Sequence, residues 1–241
     1  MKKKTKITAI IVAAGDGSRM NSSQRKPFME LEGLPMLVHT LRAFEHHPLI
    51  SSIVLVLKEE DLDRGLDLCV RYGIKKIREI VQGGPKRFRS VLNGLKAVEY
   101  DTDFVMIHDG ARPLVSAELI SSIAESVPAV DACTAAVPVK DTIKMADREG
   151  YAQQTLDRSR LWAVQTPQAF SYPLLIEAYE KLLRTIEEYQ ADESAITDDA
   201  VIVENMTDCR VRFITGEYSN IKVTTPEDLI IAEALLRARE S

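Results

Sequence analysis

The chain has 241 residues, 45% of them hydrophobic, which is enough to bury a sizeable core within one α/β domain. A formal net charge of -5 argues against a general nucleic-acid binder, so any polyanion must be held by a local basic cluster. Three widely spaced cysteines, Cys69, Cys133 and Cys209, form no CxxC pair; they suggest neither a disulfide framework nor a zinc site and fit a reducing, cytoplasmic setting.

The start, MKKKTKITAIIVAAG, has the basic head and apolar run of a signal peptide, but the run is at the short limit and coincides with what reads as the first core strand. No stretch approaches the roughly 20 apolar residues of a membrane helix, so no membrane partner is expected. Short apolar, β-branched runs at 7–12, 53–57, 74–81, 104–107 and 132–137 read as buried strands of a parallel sheet. Between them, residues 35–46, 59–72, 85–100 and 116–126 have helical periodicity. This alternation predicts a doubly wound α/β sandwich. Pro85 and the run Thr225-Pro226-Glu227-Asp228 mark helix starts, and the last helix should run through about Arg237. The rhythm breaks at 139–161, where short β-like pieces flank the turn signal Arg148-Glu149-Gly150. This excursion is either an ordinary surface hairpin or an arm that packs on a second subunit. With no internal repeat or linker, residues 1–241 read as one domain.

After the first strand comes VAAGDGSRM at 12–20, followed by Arg25 and Lys26. Small residues let backbone N–H groups approach phosphate oxygens, and a following helix start adds partial positive charge. Met20 stands where a dinucleotide fingerprint needs glycine, and no stretch supplies a Walker A loop. Gly15 and Gly17 alone would fit many turns. Arg19 and Lys26 close by favour a nucleotide cradle.

Five segments and a lysine then carry a resemblance: AAGxGxRM at 13–20 with Lys26, HDGARP at 108–113, LDRSRLW at 156–162, QTPQAF at 165–170 and NIKVTTPEDL at 220–229. In this order the chain resembles the 2-C-methyl-D-erythritol 4-phosphate cytidylyltransferases. The resemblance implies a Rossmann-like three-layer sandwich with a mostly parallel twisted sheet and a protruding β-hairpin arm. It implies formation of 4-diphosphocytidyl-2-C-methyl-D-erythritol and pyrophosphate from CTP and the polyol phosphate, with Mg2+ or another divalent cation, in a homodimer joined by the arm. Carried over, Ala13, Ala14, Gly15 and Gly17 line the CTP loop, with Arg19 and Lys26 on the triphosphate. Gly84, Arg87 and Ser90 match the segment that reads the cytosine, and Asp109 with Gly110 meets the ribose or the metal, the metal being held mainly by the CTP phosphates. Arg158 and Lys222 match the residues that position the acceptor phosphate, with Arg112, Thr142, Thr166 and Thr197 as helpers. The chain departs from the family at Arg25-Lys26-Pro27 and at Pro85, which bears on the path of the CTP loops.

These residue types suit the chemistry. An anionic phosphate must attack the α-phosphorus of an anionic nucleotide, so catalysis rests on positioning and on cations. The attacking phosphate is already ionised and needs no general base; His108 therefore reads as a strand-end histidine, and His39, His46 and His47 are assigned no role. Two alternatives share the scaffold: a ribitol 5-phosphate cytidylyltransferase and a catalytically silent ligand-binding module.

Overall fold

The computed structural model describes residues 5–15, 25–190 and 192–240. In chain order, β1 (Ile7–Val12) is followed by a small antiparallel pair, β2 (Glu30–Leu31) and β3 (Leu34–Pro35). Then come α1 (Met36–Glu45), β4 (Ser52–Leu57), α2 (Leu62–Arg71), β5 (Ile77–Gln82), α3 (Arg87–Lys96), β6 (Phe104–Asp109), α4 (Ala117–Val130) and β7 (Ala132–Pro138). A ribbon of β8 (Lys144–Ala146) and β9 (Ala152–Thr155) precedes β10 (Trp162–Ser171), α5 (Tyr172–Tyr189), α6 (Asp199–Met206), β11 (Arg212–Thr215) and α7 (Pro226–Glu240).

The 7-stranded sheet has the order β11-β7-β10-β6-β1-β4-β5. Every neighbouring pair is parallel except the two that β10 makes with β6 and β7. The mostly parallel α/β sandwich read from the sequence is therefore what the chain forms. Along β1, Ile7, Ala9 and Ile11 pack with α1, α2 and α4, while Ile10 packs with α3, α5 and α6. Both faces of the strand are apolar, which is why its sequence is a continuous run and not an alternation. Among the described residues no helix is long and apolar enough to cross a membrane.

Several boundaries differ from expectation: α3 ends at Lys96, short of 100, and α4 runs on past 126 to Val130. Two element starts differ for physical reasons. The strand read at 74–81 begins at Ile77. Gly73 adopts a left-handed φ of 68°, and the Ile74 amide donates to Cys69 O at 2.9 Å, so these residues close α2 before the strand starts. The helix read from Pro85 begins at Arg87, after an extended Lys86. The long β10 and α5, and the short α6 and β11, carry no expectation from the sequence.

From β1 the chain moves outward to β4 and β5, then returns to lay β6 on the other side of β1. The loops leaving β1 and β6 must therefore part. They leave a crevice at their carboxyl ends, where open α/β sheets bind ligands. Val12 and Asp109, the last residues of the two strands, are partners in the register.

Candidate functional site

A cavity of about 490 Å3 occupies that crevice, within the range of small-ligand sites. Ala13, Ala14 and Gly15 form its floor as β1 runs out, and the Ala13 amide still donates to Val56 O at 2.8 Å. Among the described residues a Cβ built on Gly15 would meet nothing within 4 Å. Opposite lies the loop after β5. There a Cβ on Gly83 would stand 2.3 Å from Ala14 Cβ, so only glycine lets the two loops approach this closely. Ser90 holds the same loop, accepting from the Gly84 amide at 3.0 Å. Its hydroxyl thus shapes the wall as well as lining it.

Lys26 and Pro27 stand on the cavity wall, on a short 3-10 turn. Pro27, a departure from the family pattern, sits at the first turn, where a fixed φ suits it. The neighbouring Arg25 pairs with Glu60 and, at 3.3 Å, with Asp61. Of the basic pair, only Lys26 lines the cavity.

The far wall is Asp109, Gly110 and Lys222. The Asp109 carboxylate faces three cations: Arg87 Nε at 3.3 Å, Lys222 Nζ at 2.8 Å and Arg112 Nε at 3.8 Å. Burial pushes its pKa up, but the neighbouring Arg87, Lys222 and Arg112 outweigh burial and hold it well below the usual carboxylate range. Arg87 also reaches Asp199 through Nη1 at 2.7 Å. Burial disfavours its charge, and the two aspartates more than restore it. Among the described residues no three His, Cys, Asp or Glu side chains converge as metal ligands. With Asp109 already surrounded by cations, the donor set fits an ion brought in on phosphates and not one caged by the protein.

Behind this wall, the Asp109 amide donates to Thr166 Oγ1 at 3.1 Å, and that hydroxyl lies 3.1 Å from His108 Nδ1. His108 Nε2 lies 3.1 Å from Arg112 O. A carbonyl only accepts, so Nε2 carries the ring proton and Nδ1 accepts from Thr166. Burial holds the His108 pKa down to about 4, which keeps the ring neutral. Thr166, read as a substrate helper, is 4% exposed and has its proton committed to His108.

The structure thus brings together Ala13, Ala14, Gly15, Lys26, Gly84, Arg87, Ser90, Asp109, Gly110 and Lys222. Gly17 and Arg19 lie outside the described residues. Arg112 does not line the cavity: it holds the segment bearing Lys222, with Nη1 donating to Asn220 O at 2.7 Å and the Val223 amide donating to Ala111 O at 2.9 Å. Arg158, Thr142 and Thr197 are exposed and do not line it either. Lys58, Gln82, Gly83 and Lys86 line the cavity without having been singled out in the sequence. The Gly83-Gly84 pair after a strand was the available signal for the third.

A family profile for 2-C-methyl-D-erythritol 4-phosphate cytidylyltransferase matches residues 7–238. The cytidylyltransferase of that name from Pelotomaculum thermopropionicum is 45% identical over 98% of this chain and 96% of its own length. That from Lachnoclostridium phytofermentans is 42% identical over 98% of both. Among solved structures, the 4-diphosphocytidyl-2C-methyl-D-erythritol synthase of Anaerococcus prevotii superposes with a TM-score of 0.83 at 36% identity, covering 98% of this chain and all of its own. The Thermus thermophilus cytidylyltransferase gives 0.74 at 28% identity, covering 97% of this chain and all of its own.

Proposed function

Since this chain belongs to the 2-C-methyl-D-erythritol 4-phosphate cytidylyltransferase family, we propose that the cavity at the carboxyl ends of β1 and β6 is where it carries out the family's reaction. The protein is a CTP-dependent nucleotidyltransferase that forms 4-diphosphocytidyl-2-C-methyl-D-erythritol and pyrophosphate. The observation that carries the site is the meeting, at one switch point of the sheet, of a glycine loop, Lys26, Arg87, Asp109 and Lys222 from segments far apart in the chain.

A phosphate oxygen of the acceptor forms a bond to the α-phosphorus of CTP. The bond from that phosphorus to the bridging oxygen breaks, and pyrophosphate leaves with the electron pair. No proton has to move at the reacting atoms, so cations and alignment do the work. The Ala13–Gly15 backbone approaches the triphosphate. Lys26, together with Arg19, neutralises charge on the α-phosphate and the leaving group. The loop at Gly84 with Arg87 and Ser90 takes the cytosine side, and Asp109 with Gly110 the ribose. Lys222 leaves Asp109 to hold the acceptor's phosphate, and Arg158 takes the same phosphate from another side. Mg2+ or another divalent cation, bound on the triphosphate with Asp109 nearby, would spread its negative charge.

The acceptor half is proposed to need a second copy of the chain. Support comes from the excursion, where Arg158 and Thr142 stand exposed beside Ile143, Met145 and Tyr151. Tyr218, Phe213 and Val164 at its root are exposed as well. Such a patch on a ribbon suits a homodimer in which Arg158, Thr142 and Thr197 face a partner's cavity. The setting is cytoplasmic, in keeping with Cys69 and Cys133, buried thiols whose pKa burial raises to about 11 and about 12.

A pyrophosphate-release assay with CTP tests the reading. Turnover with methylerythritol phosphate supports it. Turnover with ribitol 5-phosphate alone, or none with either acceptor, overturns it.

A further inference from the structure

We propose that Asp199 is a positioning residue for the transfer, acting on Lys222 through Arg87 and Asp109. Asp199 opens α6 and is wholly buried. Its Oδ1 accepts from the Tyr179 hydroxyl at 2.7 Å and its Oδ2 from Arg87 Nη1 at 2.7 Å. It does not line the cavity. Its amide, with that of Ala200, donates to Gln168 Oε1 at 3.1 Å, so the carboxylate is fixed from the β10 side too.

This grip decides how Arg87 meets Asp109. A guanidinium beside one carboxylate prefers two parallel hydrogen bonds. Here it is drawn between two carboxylates and gives Asp109 only Nε, at 3.3 Å from Oδ1. Arg87 Nη2 is buried without a hydrogen-bond partner among the described residues, as a guanidinium divided in this way would leave it. Asp109 Oδ2 therefore stays open to Lys222 Nζ at 2.8 Å. From the α5 side to the cavity the groups alternate: the Tyr179 hydroxyl, Asp199, Arg87, Asp109, Lys222. Neutralising Asp199 lets Arg87 turn a second prong onto Asp109. That covers Oδ2 and moves the Lys222 ammonium from the place where it would meet the acceptor. The larger cost should fall on the acceptor: Arg87 and Asp109 stay paired on the CTP side and the loop at Ala13–Gly15 lies outside this row, whereas Lys222 loses its place.

The inference rests on the proposed role of Lys222, and a double-mutant cycle on the full chain separates the two. Steady-state kinetics would compare Asp199→Asn, Lys222→Met and the double variant. Lys222→Met should lower kcat/KM for the acceptor. Asp199→Asn should raise the acceptor KM roughly tenfold while the CTP KM moves less than about threefold; in the Lys222→Met background it should change acceptor kcat/KM less than about twofold, since coupled residues are non-additive. An equal loss in both backgrounds overturns the inference, because Asp199 would then act on the fold alone. Wild-type acceptor kcat/KM in Lys222→Met would sink the reading of Lys222 and this inference with it. Tyr179→Phe, which removes one hydrogen bond and keeps the ion pair, runs the same cycle where Asp199→Asn fails to fold, with about a threefold effect expected.

Discussion

The cavity between β1 and β6 and the excursion between β7 and β10 both carry cations, in opposite settings. In the cavity wall Arg87 is divided between Asp109 and Asp199, and Lys222 rests on Asp109. In the excursion, Arg158 donates to the carbonyl of Lys140 at 2.7 Å, and apolar Met145 and Tyr151 face outward. The described part of the cavity wall is built within one chain, its charges aimed before any ligand arrives. The excursion has exposed apolar side chains and a cation with no carboxylate partner among the described residues, as a surface does when something else is to cover it. Preorganised charge costs little rearrangement at the moment of reaction. Charge delivered by a partner ties activity to assembly.

This contrast breaks if Lys26 proves no more important than the ribbon. Lys26→Ala should lower kcat by about 10²- to 10³-fold, the scale of losing one preorganised donor, read by pyrophosphate release at saturating substrates. A loss of less than about tenfold would mean that Lys26 only lines the wall.

The buried layer behind the far wall of the cavity gives a second distinction, in stability. His108 is neutral in the fold, with a pKa lowered by burial from 6.5 to about 4. A base whose pKa is depressed in the native state contributes fully above its unfolded value, and that contribution is lost as pH falls from 6.5 through 4. The loss amounts to about 3 kcal/mol. Asp109, held low by its cations, adds its own loss in the same direction only below the unfolded carboxylate value. Melting followed between pH 7.5 and 4.5 should show a steep decline in the wild type and a shallower one in His108→Gln. Parallel declines would show that His108 does not govern this range.

Smaller effects are expected from the excursion. Arg158→Ala should lower acceptor kcat/KM roughly 10- to 100-fold through loss of one charged phosphate contact. Met145→Asp should weaken self-association about tenfold in sedimentation while leaving the far-ultraviolet circular dichroism unchanged, because the side chain is 47% exposed in the single chain. Unaltered association would place any interface elsewhere.

The parts of the chain that could be read in sequence are those whose physics is local. β1, β4, β6 and β7 are continuous apolar runs because both faces of the sheet are covered. The loop Ala13–Gly15 follows β1 directly, so its place at the crevice came with the strand. β10 was missed because its middle reads Gln165-Thr166-Pro167-Gln168, polar residues that would mark a loop. In the fold they are buried for tertiary reasons: Gln168 Oε1 accepts the first amides of α6, and Thr166 anchors Asp109. Asp199 was invisible in the same way, since its partner Arg87 lies 112 residues away. The helper roles read for Arg112 and Thr166 came from the family pattern. The side-chain directions show that one straps the Lys222 segment and the other orients a backbone amide.

Calorimetric titration of CTP, without acceptor, into the wild type, Lys26→Ala and Arg158→Ala tests the division between the two regions most directly. The account predicts that Lys26→Ala weakens CTP binding at least about tenfold, the loss of one charge-assisted contact, while Arg158→Ala leaves it unchanged. Equal losses in both variants, or a loss confined to Arg158→Ala, would contradict it.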